Sequence, residues 1–222
     1  MTGTKNKAVL MTGSVIFAIM SVVWTGLLVT DNVKGLDAAG FAAAKALRTE
    51  ELTAFFQVLT QLGNAVVLAP LGVVVIASLY AMRMRAEALC LLLTLGGGEL
   101  LNELLKAVFA RARPSDFHLI ALPDSFSFPS GHAMIAPAFY CMLALIAARW
   151  LEGRRWAVLV QPLTFAVVIL LGLSRVYLGV HFMSDVLTGF CLSMTGYCLV
   201  RYGYERYLEN RRPSVPKMVQ LR

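Results

Sequence analysis

Long apolar runs separated by short polar ones organise this chain. Stretches near 8–30, 63–82, 86–108, 132–150, 156–174 and 184–201 each hold close to 20 mostly apolar residues. That length lets an α-helix, rising about 1.5 Å per residue, cross about 30 Å of hydrocarbon. The pattern predicts an all-α fold, an integral membrane bundle of six transmembrane helices forming a single domain over 1–222. The first run follows Lys5 and Lys7, as in a signal peptide, but its length and lack of a small-x-small end predict a retained helix.

Asp31 to Leu62 breaks the pattern. It is Ala-rich, with Lys34, Asp37, Lys45, Arg48, Glu50 and Glu51 interspersed and Phe55, Phe56, Val58 and Leu59 at helical spacing. This predicts an amphipathic helical insertion between the first and second spans, either lying on the membrane surface or packed on the bundle as a hairpin. Beyond Tyr202 the chain turns basic, and 202–222 is expected to be a cytoplasmic tail.

Composition agrees with the pattern. Of 222 residues, 58% are hydrophobic and 15% charged. The mean hydropathy is +0.70, far from a soluble average. The net charge of +7 follows from membrane topology, and no motif supports nucleic-acid binding. With six spans, 13 of the 20 Lys and Arg residues fall on the side of the termini, which predicts cytoplasmic N- and C-termini. Cys90, Cys141, Cys191 and Cys198 lie in apolar runs without zinc-site spacing and read as buried thiols. Gly96-Gly97-Gly98 is expected to permit close helix packing.

Three polar clusters stand out, because such groups are rarely placed near lipid without a use. His181 and Asp185 are four apart, so on a helix they share a face. A carboxylate there fixes the imidazole tautomer and leaves the other nitrogen nucleophilic. Arg175, before a turn with Gly179, adds a forked cation suited to phosphate oxygens. Pro129-Ser130-Gly131-His132 reads as a turn opening the fourth span, with Ser130 as N-cap and His132 as a proton donor beside an anion-binding helix end. Lys106 and Arg113, two turns apart with Pro114 ending the helix, present cations on one face. Each cluster also has a structural reading: an ion pair capping the sixth helix, a capped helix with an interfacial His, and a snorkelling Lys with a topological Arg. All three lie on the side opposite the termini, and together they suit phosphoryl transfer. No set of metal ligands appears.

Lys106-x6-Arg113-Pro114, Pro129-Ser130-Gly131-His132 and Ser174-Arg175-x5-His181-x3-Asp185 together resemble the three-part signature of the type 2 phosphatidic acid phosphatase (PAP2) superfamily. Flanking Ser127-Phe128 and the run 174–182 are most similar to bacterial phosphatidylglycerophosphatase B-like members. The resemblance implies His181 as a nucleophile forming a phosphohistidine, Asp185 as its activator and His132 as proton donor. Lys106, Arg113, Arg175, Ser130 and the N–H of Gly131 would hold the phosphoryl group. It implies metal-independent hydrolysis of a lipid phosphomonoester or pyrophosphate at the outer face of a bacterial cytoplasmic membrane, with no cofactor. Candidate substrates are phosphatidylglycerophosphate, undecaprenyl pyrophosphate and phosphatidic acid. A lipid-linked phosphoryl or headgroup transferase is the alternative. A non-catalytic lipid-phosphate binder or transporter fits less well, since binding needs no activated imidazole. Oligomeric state is left open. Glu103 and Lys106 are spaced to pair, Glu99 and Asn102 are left without a role, and Arg111 is expected near lipid phosphates. Asp116, His118 and Asp124 read as solvated loop residues.

Overall fold

The structure, a computed structural model, describes residues 2–115, 118–152, 154 and 157–211. Helices α1 (Thr2–Val29), α2 (Lys34–Ala46), α3 (Glu50–Leu59), α4 (Ala65–Ala81) and α5 (Arg85–Phe109) are followed by a long loop. Then come α6 (Gly131–Met134), α7 (Ala136–Trp150), α8 (Ala157–Tyr177) and α9 (Met183–Arg211). No strand occurs among the described residues, and the chain is a multi-pass membrane protein.

Five helical stretches are long and apolar enough to cross a membrane. The expected second span differs. Ala65–Ala81 reaches the required length only with Glu50–Gly63, across a 44° bend. Asn64 causes the break. Its extended backbone leaves the helix, and its Oδ1 accepts the Val66 N–H at 3.1 Å to start α4 afresh. The segment before it is a single 3-10 turn, Thr60–Gly63. The later part of the predicted insertion, α3, leads into α4 across this bend, while α2 packs on α8 and α9.

Two further expectations are corrected. The last helix does not stop near residue 201 but runs to Arg211, because Tyr204 and Glu209 still have partners. Arg149 donates to Tyr204, which donates to Glu87, both at 2.7 Å, and Lys7 pairs with Glu209 at 2.5 Å. Residues 212–222 of the expected tail lie outside the described residues. Of Gly96-Gly97-Gly98, only Gly98 meets a neighbouring helix, since a Cβ there would lie 3.9 Å from Ile135 Cα at the start of α7. A Cβ added at Gly97 would meet nothing within 4 Å, and one at Gly96 only Leu92 of the same helix. Gly96 instead lines a cavity with bare backbone. All four cysteines are free and buried.

Helix α9 is the central post, packed along its length by α1 and also touched by α5, α6 and α7. Gly189 lets α9 pass the 129–131 turn, since a Cβ there would lie 2.9 Å from the Ser130 carbonyl oxygen. The spans alternate in direction, so segments 30–64, 110–130 and 178–182 gather at one end. There the Leu119 N–H donates to the Leu178 carbonyl at 2.9 Å, and the Tyr177 and Thr53 hydroxyls lie 3.0 Å apart. All three polar clusters lie at this end.

Candidate active site

His181 and Asp185 meet across a turn rather than along one helix face. Gly179, with φ 75°, takes the left-handed conformation that reverses the chain after α8. His181 stands in that turn, its N–H donating to the Arg175 carbonyl at 3.3 Å. Asp185 sits in the first turn of α9, fully buried. Its Oδ2 accepts the Phe182 N–H at 3.0 Å and the Ser127 hydroxyl at 2.5 Å, and lies 3.4 Å from His181 Nδ1. Its Oδ1 accepts Arg111 Nη1 at 2.5 Å.

The other His181 nitrogen, Nε2, lies 3.0 Å from Arg113 Nη1. A guanidinium can only donate, so Nε2 presents its lone pair and Nδ1 carries the proton toward Asp185. Burial pushes the imidazole down to about 4; Asp185 opposes this, while Arg113 and Arg175 reinforce it. His181 is therefore a free base near neutral pH.

Arg113 is not on the helix of Lys106. The helix α5 ends at Phe109, where Ala110 adopts φ 44°, so the two-turn spacing does not place the two cations. The loop does. Arg113 Nε donates to the Ser125 carbonyl at 2.7 Å, Nη1 to the Val180 carbonyl at 2.9 Å, and Nη2 to Ser125 Oγ and the Phe126 carbonyl at 3.1 and 3.2 Å. With His181, each of its five N–H groups has an acceptor. Burial lowers its pKa from the ordinary arginine value, opposed by Asp185. Lys106 pairs with Glu103 at 2.9 Å, as its spacing predicted, and reaches Ser125 Oγ at 3.4 Å. Arg175 is 4% exposed and donates to Thr60 Oγ1 at 2.7 Å. Its buried Nε–H has no partner among the described residues, an unmet donor that an anion would satisfy.

Ser130 occupies the N-cap position of α6, but its hydroxyl caps nothing and is buried without a partner. Its main chain forms the link, with N–H donating to the Asp185 carbonyl at 3.2 Å. The imidazole of His132 holds Nε2 3.1 Å from the Thr60 carbonyl. A carbonyl only accepts, so Nε2 carries a proton there. Gly63 is required by this contact, since a Cβ there would come 2.6 Å from His132 Cδ2.

Several residues of the site escaped the sequence reading. Arg111, expected among lipid phosphates, instead bridges Asp185 and Asp37. Ser127 was noticed only as a flank of the second cluster, and Thr60 gave no signal. Asn102, left without a role, donates to the Pro129 carbonyl at 3.3 Å beneath the 129–131 turn. Glu99 lines the cavity described next. His118 and Asp124 are exposed, and Asp116 lies outside the described residues.

A cavity of about 640 Å³ joins these groups. Its lining includes a polar group, Lys106, Arg113, Arg175, His132, Gly131 and His181, and an apolar group, Leu68, Val73, Ile76, Leu92 and Leu95 with bare Gly96. The first group is cationic and the second apolar.

Comparison with known proteins shows the family. The PAP2 superfamily pattern matches residues 87–208. The chain is 36% identical to phosphatidylglycerophosphatase B of Bacillus subtilis over 184 residues, covering 82% of this chain and 90% of that protein. It is 35% identical to an undecaprenyl-diphosphatase of Sulfolobus acidocaldarius over 97 residues, 41% of this chain and 43% of that one. The fold superposes on the crystal structure of the transmembrane PAP2-type phosphatidylglycerolphosphate phosphatase from Bacillus subtilis with a TM-score of 0.80 and 33% identity, covering 90% of this chain and 98% of that one. The chain belongs to the PAP2 superfamily and is a membrane lipid phosphatase.

Proposed function

We propose that the protein hydrolyses the terminal phosphate of a lipid through a phosphohistidine on His181, at the outer face of the cytoplasmic membrane. The carrying observation is His181 itself. Its Nδ1 proton faces a buried carboxylate, and its Nε2 lone pair faces a cation in the polar lining of an amphipathic cavity.

In this reading Arg113 Nη1 turns from His181 Nε2 to a phosphoryl oxygen as substrate enters, Nε2 then attacks phosphorus, and the bond from phosphorus to the lipid oxygen breaks. The departing oxygen takes a proton from His132, which enters the cycle as the imidazolium. Because Nε2 of His132 is held by the Thr60 carbonyl, Nδ1 is the atom that gives and later retakes the proton. Water then attacks the phosphohistidine, losing a proton to His132, and phosphate leaves with Nε2 restored. Asp185 stays anionic and holds Nδ1–H throughout, as orienting carboxylates do elsewhere. Lys106, Arg113, Arg175, Ser130 and the Gly131 N–H hold the phosphoryl oxygens. Phosphoryl transfer needs mainly positioning and neutralised charge. Three cations at the cavity supply that charge, so no metal or other cofactor is required.

The orientation rests on the positive-inside bias. Arg83, Arg85, Arg149 and Arg201 lie toward the end where Lys7 of α1 meets Glu209 of α9, away from the site. Among lipid phosphates, phosphatidylglycerophosphate is the favoured substrate, because the relative bearing that name matches over 90% of its length. Undecaprenyl pyrophosphate and phosphatidic acid present the same chemistry.

The test is phosphate release in mixed micelles with EDTA present, comparing phosphatidylglycerophosphate, undecaprenyl pyrophosphate, phosphatidic acid and lipid A by kcat/KM. Turnover is expected with EDTA, fastest on phosphatidylglycerophosphate, and lost in His181→Ala. Phosphate appearing on an added lipid acceptor rather than in solution would make the protein a transferase.

A further inference from the structure

The signature residues do not account for one largely buried ionic group beside the site. Arg111 lies between two carboxylates. Its Nη1 donates to Asp185 Oδ1 at 2.5 Å and to Ser184 Oγ at 2.8 Å, and its Nη2 donates to Asp37 Oδ2 at 2.7 Å. The guanidinium carbon stands 4.0 Å from the centroid of the Phe182 ring. Asp37 comes from α2, far away in sequence, and is 5% exposed. Its Oδ1 accepts the Ser184 N–H at 2.9 Å, and its Oδ2 accepts Ser184 Oγ at 3.0 Å. Around this contact α2 presses on the same four residues, 182–185. A Cβ at Gly40 would lie 3.0 Å from Met183 Cβ, and the Phe41 and Phe182 rings are 5.5 Å apart.

We propose that Asp37 and Arg111 are a positioning pair, through which α2 sets the angle of the Asp185 carboxylate against His181. The inference rests on the reading of Asp185 as partner of the nucleophile.

The division of labour at Asp185 supports it. Oδ2 is the oxygen near His181 Nδ1, and it is already shared with Ser127 and the Phe182 N–H. Oδ1 faces away, and Arg111 is its partner. Holding Oδ1 stops the carboxylate from turning about its Cβ–Cγ bond, so Oδ2 stays on the imidazole. Arg111 can do this only if its own fork is fixed, and Asp37 fixes the other nitrogen. Stability alone gives little reason for such a group, since desolvation offsets most of the attraction in a buried ion pair. A fixed geometry at the nucleophile is what the pair provides. Neither residue touches the cavity, so both act through Asp185.

The test is a double-mutant cycle on the full-length protein, using phosphate release from mixed micelles with melting temperature measured alongside. Arg111→Met should lower kcat about 10–100-fold, the range for an outer partner of a functional ligand, with KM within about threefold. The isosteric Asp37→Asn should lower kcat about 10-fold by the same argument. Because Asp37 acts through Arg111, the double variant should be no slower than Arg111→Met. Arg111→Lys, which keeps the charge but not the fork, should fall between wild type and Arg111→Met. Additive losses in the double variant, or unchanged kcat in Asp37→Asn with the melting temperature of wild type, would overturn the pair. Should Arg111→Met fail to fold, Asp37→Asn and Arg111→Lys still decide the matter through kcat against KM. His181→Ala is run in parallel. Full turnover there would overturn the nucleophile reading and the pair with it, whereas an inactive His181→Ala with additive pair effects would overturn the pair alone.

Discussion

Nη1 of Arg113 lies 3.0 Å from Nε2 of His181, and this contact determines which nitrogen of the imidazole carries the lone pair. The donor-only guanidinium forces the lone pair onto Nε2, and the Asp185 carboxylate takes the proton on Nδ1. Arg113 also ties His181 to the loop through Ser125, Phe126 and Val180. Lysine keeps the charge but cannot serve five acceptors. Arg113→Lys should therefore lose kcat/KM by about 10–100-fold, the worth of one or two charge-assisted hydrogen bonds. Steady-state rates on a single lipid phosphate check this.

The buried His181 should tolerate acid. A lowered pKa means the free base persists as pH falls, until about 4, whereas an ordinary imidazole protonates near 6.5. The rate of enzyme phosphorylation in a single turnover should stay high through pH 5 to 6 and fall only as pH approaches 4. A limb near 6.5 that is independent of the substrate's own ionisation would mean that His181 is solvated.

Thr60 joins two functional side chains, through its hydroxyl to Arg175 and its carbonyl to His132. Thr60→Val deletes the first link and keeps the second. We expect KM to rise about 10-fold, on the scale of a charge-assisted hydrogen bond, with kcat within about threefold. A fall in kcat at constant KM would place Thr60 in the chemical step instead.

Gly63→Ala carries the opposite signature. The new methyl would press on the His132 ring and move the proton donor, while phosphate binding through Arg175 stays. A displacement of about 1 Å can cost on the order of 10²-fold in rate. That loss should appear in kcat, and the melting temperature should change little.

Gly96 lines the apolar part of the cavity with bare backbone. Gly96→Leu should slow turnover of long-chain lipid phosphates several-fold, while a short-chain, water-soluble phosphate ester is turned over as before. Equal slowing of both would show that the substitution disturbs the phosphate site.

Sequence pattern and chemistry located the spans and the three clusters, because each is a local property. A run of apolar residues reports its own span, and His181, Asp185, His132 and Arg175 are side chains with few structural uses near lipid. The break at Asn64 was invisible for the same reason: one polar residue hardly alters the hydropathy of a long window. The spacing of Lys106 and Arg113 misled, since it assumed a helix running to Pro114, whereas α5 ends at Phe109. Ser130 had the right position for a cap but makes its link through the main chain. Arg111 and Asp37 lie 74 residues apart, and no periodicity relates them. Thr60 contributes a backbone carbonyl, which leaves no mark in a sequence.

Phosphate on His181 is the most direct measure of the proposed chemistry. Enzyme mixed with a lipid bearing a radiolabelled terminal phosphate, quenched within one turnover, should carry an acid-labile, alkali-stable label that peptide mapping places on His181. The label should be absent from His181→Ala and should persist longer when His132 is replaced by Gln. Rapid release of phosphate with no label at any time, or label on another residue, would contradict the mechanism.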